Sequence, residues 1–442
     1  MAWEGQIAMA LVGLMPDNKV LQSGFLLVMG LAIFIESPVI DLLSTGTTLG
    51  TTKARFHKIT RFTLILMAWV TFAHCAVVFT PLYNIVAIKI LDAEPEAARA
   101  AWQGLAWMPI WSACVGWRRY RQGIMIRAGI TKLISWGTLI RIVSLTISGA
   151  ALYYSGTLSG LALIGCSFTI SVLAEAAYIH LVSQPIIANL PSEHPPLRVS
   201  GEGAGGEVIP SDEPGQNLKE LPKDLSFLDL AKFHIPLTVG TMLMLTAPVL
   251  VTRALNLTPE PILATAAWQV AATVGWLFRT ITFALPEAII SLYHKSRERI
   301  LANFCLKIGL TVTILMVALH LLKLDIAIFR AAFKCDQQVA EIAAVAFIWT
   351  APLPLLNSVM AYYRGLLTIH EVTIARFAAI LVALISLTLA LIVGVRLNLN
   401  APTLAGSSLV IAHLVELATL ALAWKLSAKN PPHRALLSDP SP

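Results

Sequence analysis

Long apolar runs recur down the whole chain with short polar breaks between them, near 1–15, 21–44, 59–84, 101–117, 132–154, 158–183, 231–254, 262–290, 301–322, 339–361, 372–395 and 404–425. A helix needs about 20 apolar residues to cross a bilayer. Lipid offers no partner to a free backbone N–H or C=O, so each run is expected to be helical. An outer-membrane barrel would show alternating segments of about ten residues instead. The pattern predicts an all-α integral membrane protein of about 12 transmembrane helices, six in each half.

The pattern also repeats. Gly123 in RRYRQG and Gly365 in YYRGLL lie 242 positions apart, Pro16 and Pro259 lie 243 apart, and Glu175 and Glu416 lie 241 apart. Anchors that agree within one position describe a tandem duplication: an N-terminal six-helix lobe over 1–183, a linker over 184–230, a C-terminal lobe over 231–427 and a tail over 428–442. The linker carries prolines and the run GEGAGG, the composition of a flexible connector. Its end, LKELPKDLSFLDLAKF, reads as a short helix lying on the membrane surface. Span 1 is short for a crossing, and its repeat partner starts near Lys232, whose counterpart falls before Met1. The chain as given is therefore expected to lack the first part of that span, which mass spectrometry of the native N-terminus would test.

Composition agrees with the pattern: 57% hydrophobic and 13% charged residues, with a mean hydropathy of +0.73, against about 25% charged in soluble domains. The net charge of +7 implies no nucleic acid, because most basic residues gather in alternate loops. Lys53 to Arg61, Arg118 to Lys132, Arg198 to Lys232, Lys295 to Arg299, Arg364 with Arg376, and Lys425 to Arg434 follow the even-numbered spans. The positive-inside rule then puts both termini in the cytoplasm, as expected of a bacterial inner-membrane protein. The five cysteines are scattered without metal or disulfide spacing. Phosphate-binding glycine motifs are absent. No enzyme activity and no cofactor is expected.

Ionisable groups within spans cost roughly 2.5–3.5 kcal/mol on insertion scales, which makes them candidates for function. Arg141 falls near the midplane and either pairs a carboxylate or meets an anionic solute. Glu36 and Arg279 are repeat-related and could face each other across the two halves, as a lock on one conformation or as a static ion pair. Pro38 beside Glu36 frees a backbone carbonyl. Glu175 and Glu416 are repeat-related acids, and His413 shares a helical face with Glu416. Proton coupling and interhelical hydrogen bonding are the two readings of that group. Glu4, in the short first span, is a weaker candidate for the same task, and Glu287 completes the in-span acids. His74 and His320 read as hydrogen-bonded to nearby carbonyls, and Trp3, Trp107, Trp111 and Trp117 as packing or interface anchors.

Phe233-x-x-Pro236-Leu237 opening span 7, Gly275-Trp276-Leu277 with Arg279 and Pro286 in span 8, Leu414-Val415-Glu416 in span 12 and the basic turn at 118–123 together resemble the MOP flippase superfamily, which includes the MATE exporters. They most resemble its progressive ankylosis family. That resemblance implies two six-helix bundles working by alternating access as a monomer. It also implies export of a small organic or phosphorylated anion as an antiporter, with H+ or Na+ as coupling ion. A lipid-linked saccharide flippase of the same fold is the alternative, which one strong in-membrane cation, Arg141, supports poorly. A non-transporting scaffold or an integral-membrane transferase is the third reading.

Overall fold

The structure, a computed structural model, describes residues 2–192, 225–283, 285–293, 298–369 and 372–429. In chain order its helices are α1 (Ala2–Gly13), α2 (Asn18–Ile40), α3 (Leu42–Leu49), α4 (Lys53–Val78), α5 (Leu82–Asn84) running into a π-helical stretch (Ile85–Ile90), α6 (Pro95–Leu105), α7 (Pro109–Arg127), α8 (Lys132–Ser155) and α9 (Gly160–Ala188). The second half follows with α10 (Phe227–Asn256), α11 (Pro261–Thr280), α12 (Leu285–Leu292), α13 (Glu298–Leu321), α14 (Leu324–Phe333), α15 (Gln337–Thr350), α16 (Pro352–Ile369), α17 (Thr373–Arg396) and α18 (Ala401–Lys429). The described residues contain no strand. The chain is an all-α integral membrane protein.

Local chemistry sets the helix starts. Ser226 and Asp229 form a reciprocal capping box at the head of α10, Thr52 caps α4 through the Arg55 amide, and Asp336 caps α15 through the Val339 amide at 2.7 Å. Pro95, Pro109 and Pro261 open α6, α7 and α11, where a missing N–H does no harm. Because α10 begins at its box and runs unbroken into the span, Phe227 to Phe233 belong to a crossing helix and not to a separate surface helix. The first part of that expected segment, most of the linker and nearly all of the tail lie outside the described residues.

Ten described helices or joined pairs are long and apolar enough to cross a membrane, two fewer than the runs read from the sequence. The first of the two is α1, whose twelve residues rise only about 18 Å. The second is the broken pair α6–α7. The fourth span was expected at 101–117 with a basic loop after it, but α7 continues through Arg118, Arg119 and Arg121 to Arg127. Arg118, Arg121 and Gln122 are buried. Likewise Arg364 lies within α16, not after it. These arginines are interior groups and say nothing about orientation.

The duplication is visible in three dimensions. A Cβ on Gly123 would collide with the backbone of Leu43 and Thr47, and one on Gly365 with the Ile289 side chain. Thus α7 closes on α3 as α16 closes on α12, at repeat-related glycines. Left-handed residues recur at the same offset: Asp92 with Lys334, and Gly156 with Asn398. The break between α2 and α3 at Asp41 has a counterpart between α11 and α12. Pro38 has no N–H for the Phe34 carbonyl, and Ser37 Oγ supplies a hydrogen at 2.7 Å. The Pro38 carbonyl, orphaned by the break, accepts from His234 Nε2 of α10 at 2.7 Å.

That last bond joins the two halves. α2 packs along both α10 and α11, with Ser23 and Thr265 hydroxyls 2.6 Å apart in its middle. At the far end from His234, Asn256 Nδ2 donates to the Leu91 carbonyl at 2.6 Å, and Asn18 Nδ2 donates to Lys334 O at 3.0 Å. Polar pins at both ends close the seam.

Candidate functional site

The interior charges of the first half converge on Glu175 of α9, which is fully buried. Arg118 of α7 reaches both of its oxygens at 3.3 Å. Arg141 of α8 lies 3.3 Å from Oε2, and Gln122 Nε2 donates to Oε1 at 3.1 Å. Arg141 also holds Glu4 of α1 at 2.6 Å. Four helices meet here because α9 packs on α7 and α8 while α1 lies across α8 and α9. Arg121 turns away from this group, donating to Ser183 Oγ at 2.8 Å with its guanidinium 4.6 Å from the Trp117 ring. Trp117 is therefore a cation partner as well as a packing residue.

Glu36 of α2 is buried beside the same cluster. Arg118, Arg119 and Arg141 all lie near enough to act on it electrostatically, yet one of its oxygens has no hydrogen-bond partner. Three arginines (118, 119, 141) and three glutamates (4, 36, 175) thus share one interior region, and their formal charges balance. Arg279 is elsewhere. Its guanidinium sits 5.5 Å over the Trp276 ring, near enough to His413 to act on it electrostatically, and no ion pair joins it to Glu36 among the described residues. The break after Thr280 leaves Arg279 on the second half's own wall, while the arginines of α7 surround Glu36.

In the second half Glu416 pairs with Arg364, and His413 Nδ1–H donates to the Leu409 carbonyl at 2.8 Å. His413 and Glu416 share a face without bonding each other. Gln122 and Arg364 lie 242 positions apart and contact Glu175 and Glu416 respectively, so the duplication preserves one interhelical contact, α7 to α9 and α16 to α18. It does not preserve the cations. The counterparts of Arg118, Arg119 and Arg141 at that offset are Met360, Ala361 and Ala383.

His74 Nε2 meets the Leu105 carbonyl at 3.0 Å as expected, whereas His320 pairs with Asp325 at 2.7 Å. The Glu287 side chain lies outside the described residues. The groups that sequence reading missed are Arg118, Arg119, Gln122 and Arg364. The available signal was the spacing of Trp117, Tyr120 and Ile124, which continues the helical period straight through the arginines.

No protein-family model and no curated protein sequence matches the chain. Its fold does match solved structures. An inward-facing multidrug resistance MATE family transporter of the MOP superfamily superposes with a TM-score of 0.68 at 12% identity, over 97% of this chain and 95% of that one. The lipid II flippase MurJ in its inward closed conformation gives 0.66 at 14% identity, over 96% and 85%. An outward-facing MATE family transporter gives 0.57 at 11% identity, over 97% and 95%. The fold is that of the MATE transporters, and the helices lie nearer the inward-facing arrangement than the outward-facing one.

Proposed function

We propose that the chain is a secondary-active transporter of the inner membrane that moves a small organic or phosphorylated anion by alternating access of its two halves. The observation that supports this best is the buried cluster of Arg118, Arg119 and Arg141 with Glu4, Glu36 and Glu175. Ion pairs of this kind contribute little stability for the desolvation they require. Intramembrane ionisable groups therefore default to a pathway role. The reading keeps both termini on the cytoplasmic side, which is supported by Lys53, Lys58, Arg61, Arg127 and Lys132 as basic residues of one face once the interior arginines are set aside.

The carboxylates of the cluster occupy the guanidinium groups that an anion would need. Protonating Glu175 frees Arg118 of its ion pair and leaves Arg141 only Glu4 to answer, so an incoming anion meets uncompensated positive charge, and proton and anion bind together and leave together. Exchange against a proton or Na+ is the alternative and reverses the sign of the coupling. Uptake of labelled citrate and pyrophosphate into proteoliposomes, under a pH gradient in either direction, tests both. Saturable flux that is fastest when the anion's side is the more acidic, and lost in Arg141→Ala, supports the proposal. A folded protein that moves no small anion overturns it.

A lipid-linked saccharide cargo gains ground from the same cluster, because several buried cations stand where one was expected. The likeness to a lipid II flippase in fold points the same way. The closer resemblance to the progressive ankylosis family rests on the sequence motifs and favours the small anion. Scrambling of a fluorescent lipid-linked oligosaccharide in the same vesicles separates the two.

A further inference from the structure

Two short helical shelves connect the spans on the face away from the Lys53 and Arg127 loops: Leu82–Ile90 in the first half and α14 in the second. They are repeat-related to the residue. Tyr83, Ala87, Leu91 and Ala93 are buried in the first, and Asp325, Phe329, Phe333 and Cys335, each 242 positions later, are buried in the second. Both present apolar side chains outward, Leu82, Ile85 and Ile88 in one and Leu324 and Ile328 in the other. Both end on a residue with left-handed backbone, Asp92 (φ 50) and Lys334 (φ 51).

The charges differ. On the first shelf Asp92 pairs with Arg253 at 3.2 Å, which leaves Lys89 as a single cation. On the second a lysine replaces that acid. Lys323, Arg330 and Lys334 line one open depression of about 700 Å³, and none has an ion-pair partner among the described residues. One acid, Glu341, stands in its wall and accepts from the neutral Gln337 amide, Asp336 caps α15, and Asp325 pairs with His320. Lys323 and Lys334 both hold left-handed backbone, which costs a non-glycine residue on the order of 1 kcal/mol or more. Basic residues are scarce on this face, so three unpaired ones around a single depression need an account.

The apolar surface beside them names the occupant. Leu310, Ile314 and Leu315 of α13, then Leu321, Leu322 and Leu324, are exposed apolar side chains along the helix that leads into Lys323, the first of the three cations. An exposed apolar strip on a spanning helix faces acyl chains, and cations at its end stand at headgroup level. We infer that α14 is a binding site for an anionic glycerophospholipid of that leaflet, its phosphate held by Lys323, Arg330 and Lys334 and its chains laid along α13. A free anion would have no use for the strip, and a zwitterionic lipid would leave the charge unanswered. The inference does not depend on what the protein transports.

Native mass spectrometry of the full chain, released from nanodiscs of phosphatidylcholine and phosphatidylglycerol in equal parts, tests it. The wild-type protein is expected to retain phosphatidylglycerol over phosphatidylcholine, and K323Q/R330Q/K334Q to lose that preference, by about fivefold per charge removed. Lys89→Gln on the first shelf is expected to retain it. All three substitutions are on exposed side chains, and an unchanged melting temperature verifies folding; single R330Q carries the test if the triple variant is unstable. Equal retention of both lipids by the wild type, an unchanged preference in the variants, an equal loss in Lys89→Gln, or displacement of the lipid by millimolar inorganic phosphate at constant ionic strength each overturns the assignment.

Discussion

Glu175 and Glu416 occupy equivalent positions of the two repeats, yet their surroundings give them different weights. Glu175 is fully buried and answers two arginines and an amide. Glu416 answers one arginine whose side chain is 25% exposed. Removing Glu175 strips the buried Arg118 of its ion pair and leaves Arg141 to Glu4 alone, a loss of about 3–5 kcal/mol. Arg364 is partly exposed, so removing Glu416 is expected to cost about 1 kcal/mol. Thermal denaturation in detergent checks the order: Glu175→Ala should melt far below wild type and Glu416→Ala only slightly below. Glu175→Gln keeps an acceptor for Arg118 and is expected to recover part of the loss. Equal losses for the two alanine variants would mean that burial is not what separates the sites. Arg141→Ala acts oppositely on function and fold. It removes a cation that the proposed anion needs, while Glu175 keeps Arg118 and Gln122, so flux should fall further than stability.

At the scale of elements, the tight approach of α7 to α3 depends on Gly123, and that of α16 to α12 on Gly365. The obstacles differ in kind. Backbone atoms of Leu43 and Thr47 cannot swing aside, whereas at Gly365 a rotamer change moves Ile289 Cγ2 away and leaves only its Cβ, at 2.8 Å, in the way. Gly123→Ala is therefore expected to destabilise by about 1–3 kcal/mol through overpacking, and Gly365→Ala by less, read from the same melts. Gly123 and Gly365 announced the duplication, and apolar periods located most spans, because lipid forces helix on any long apolar run. α7 was misplaced because three arginines in four residues break hydropathy without breaking the helix. Their burial depends on Glu175, 54 positions or more further along, and on Ser183 and Glu36 from other helices, partners that no local window contains. The pairing of Glu36 with Arg279 failed to appear for a related reason: an equal repeat position fixes depth, while the break between α11 and α12 and the arginines of α7 decide which way each side chain finds its opposite charge.

The whole molecule holds the halves together along α2, with His234, Ser23–Thr265 and Asn256 spaced down one seam, in an arrangement nearer the inward-facing MATE fold than the outward-facing one. Rigid-body exchange between those arrangements requires packed halves to part along one end of their interface and close along the other. Ser23 on α2 and Thr265 on α11 touch through their hydroxyls at 2.6 Å, so cysteines at both positions bring their sulfurs within reach of a disulfide. Cys114, Cys305 and Cys335 are buried, and the remaining two, Cys75 and Cys166, are replaced by serine to keep the reagent on the engineered pair. Oxidation of S23C/T265C should then form the bond in most molecules and stop transport, reduction should restore it, and each single cysteine variant should be indifferent to both. Quantitative cross-linking with transport undiminished would show that α2 and α11 travel as one body. The moving boundary would then have to run elsewhere, through the contact of α10 with α2 at His234.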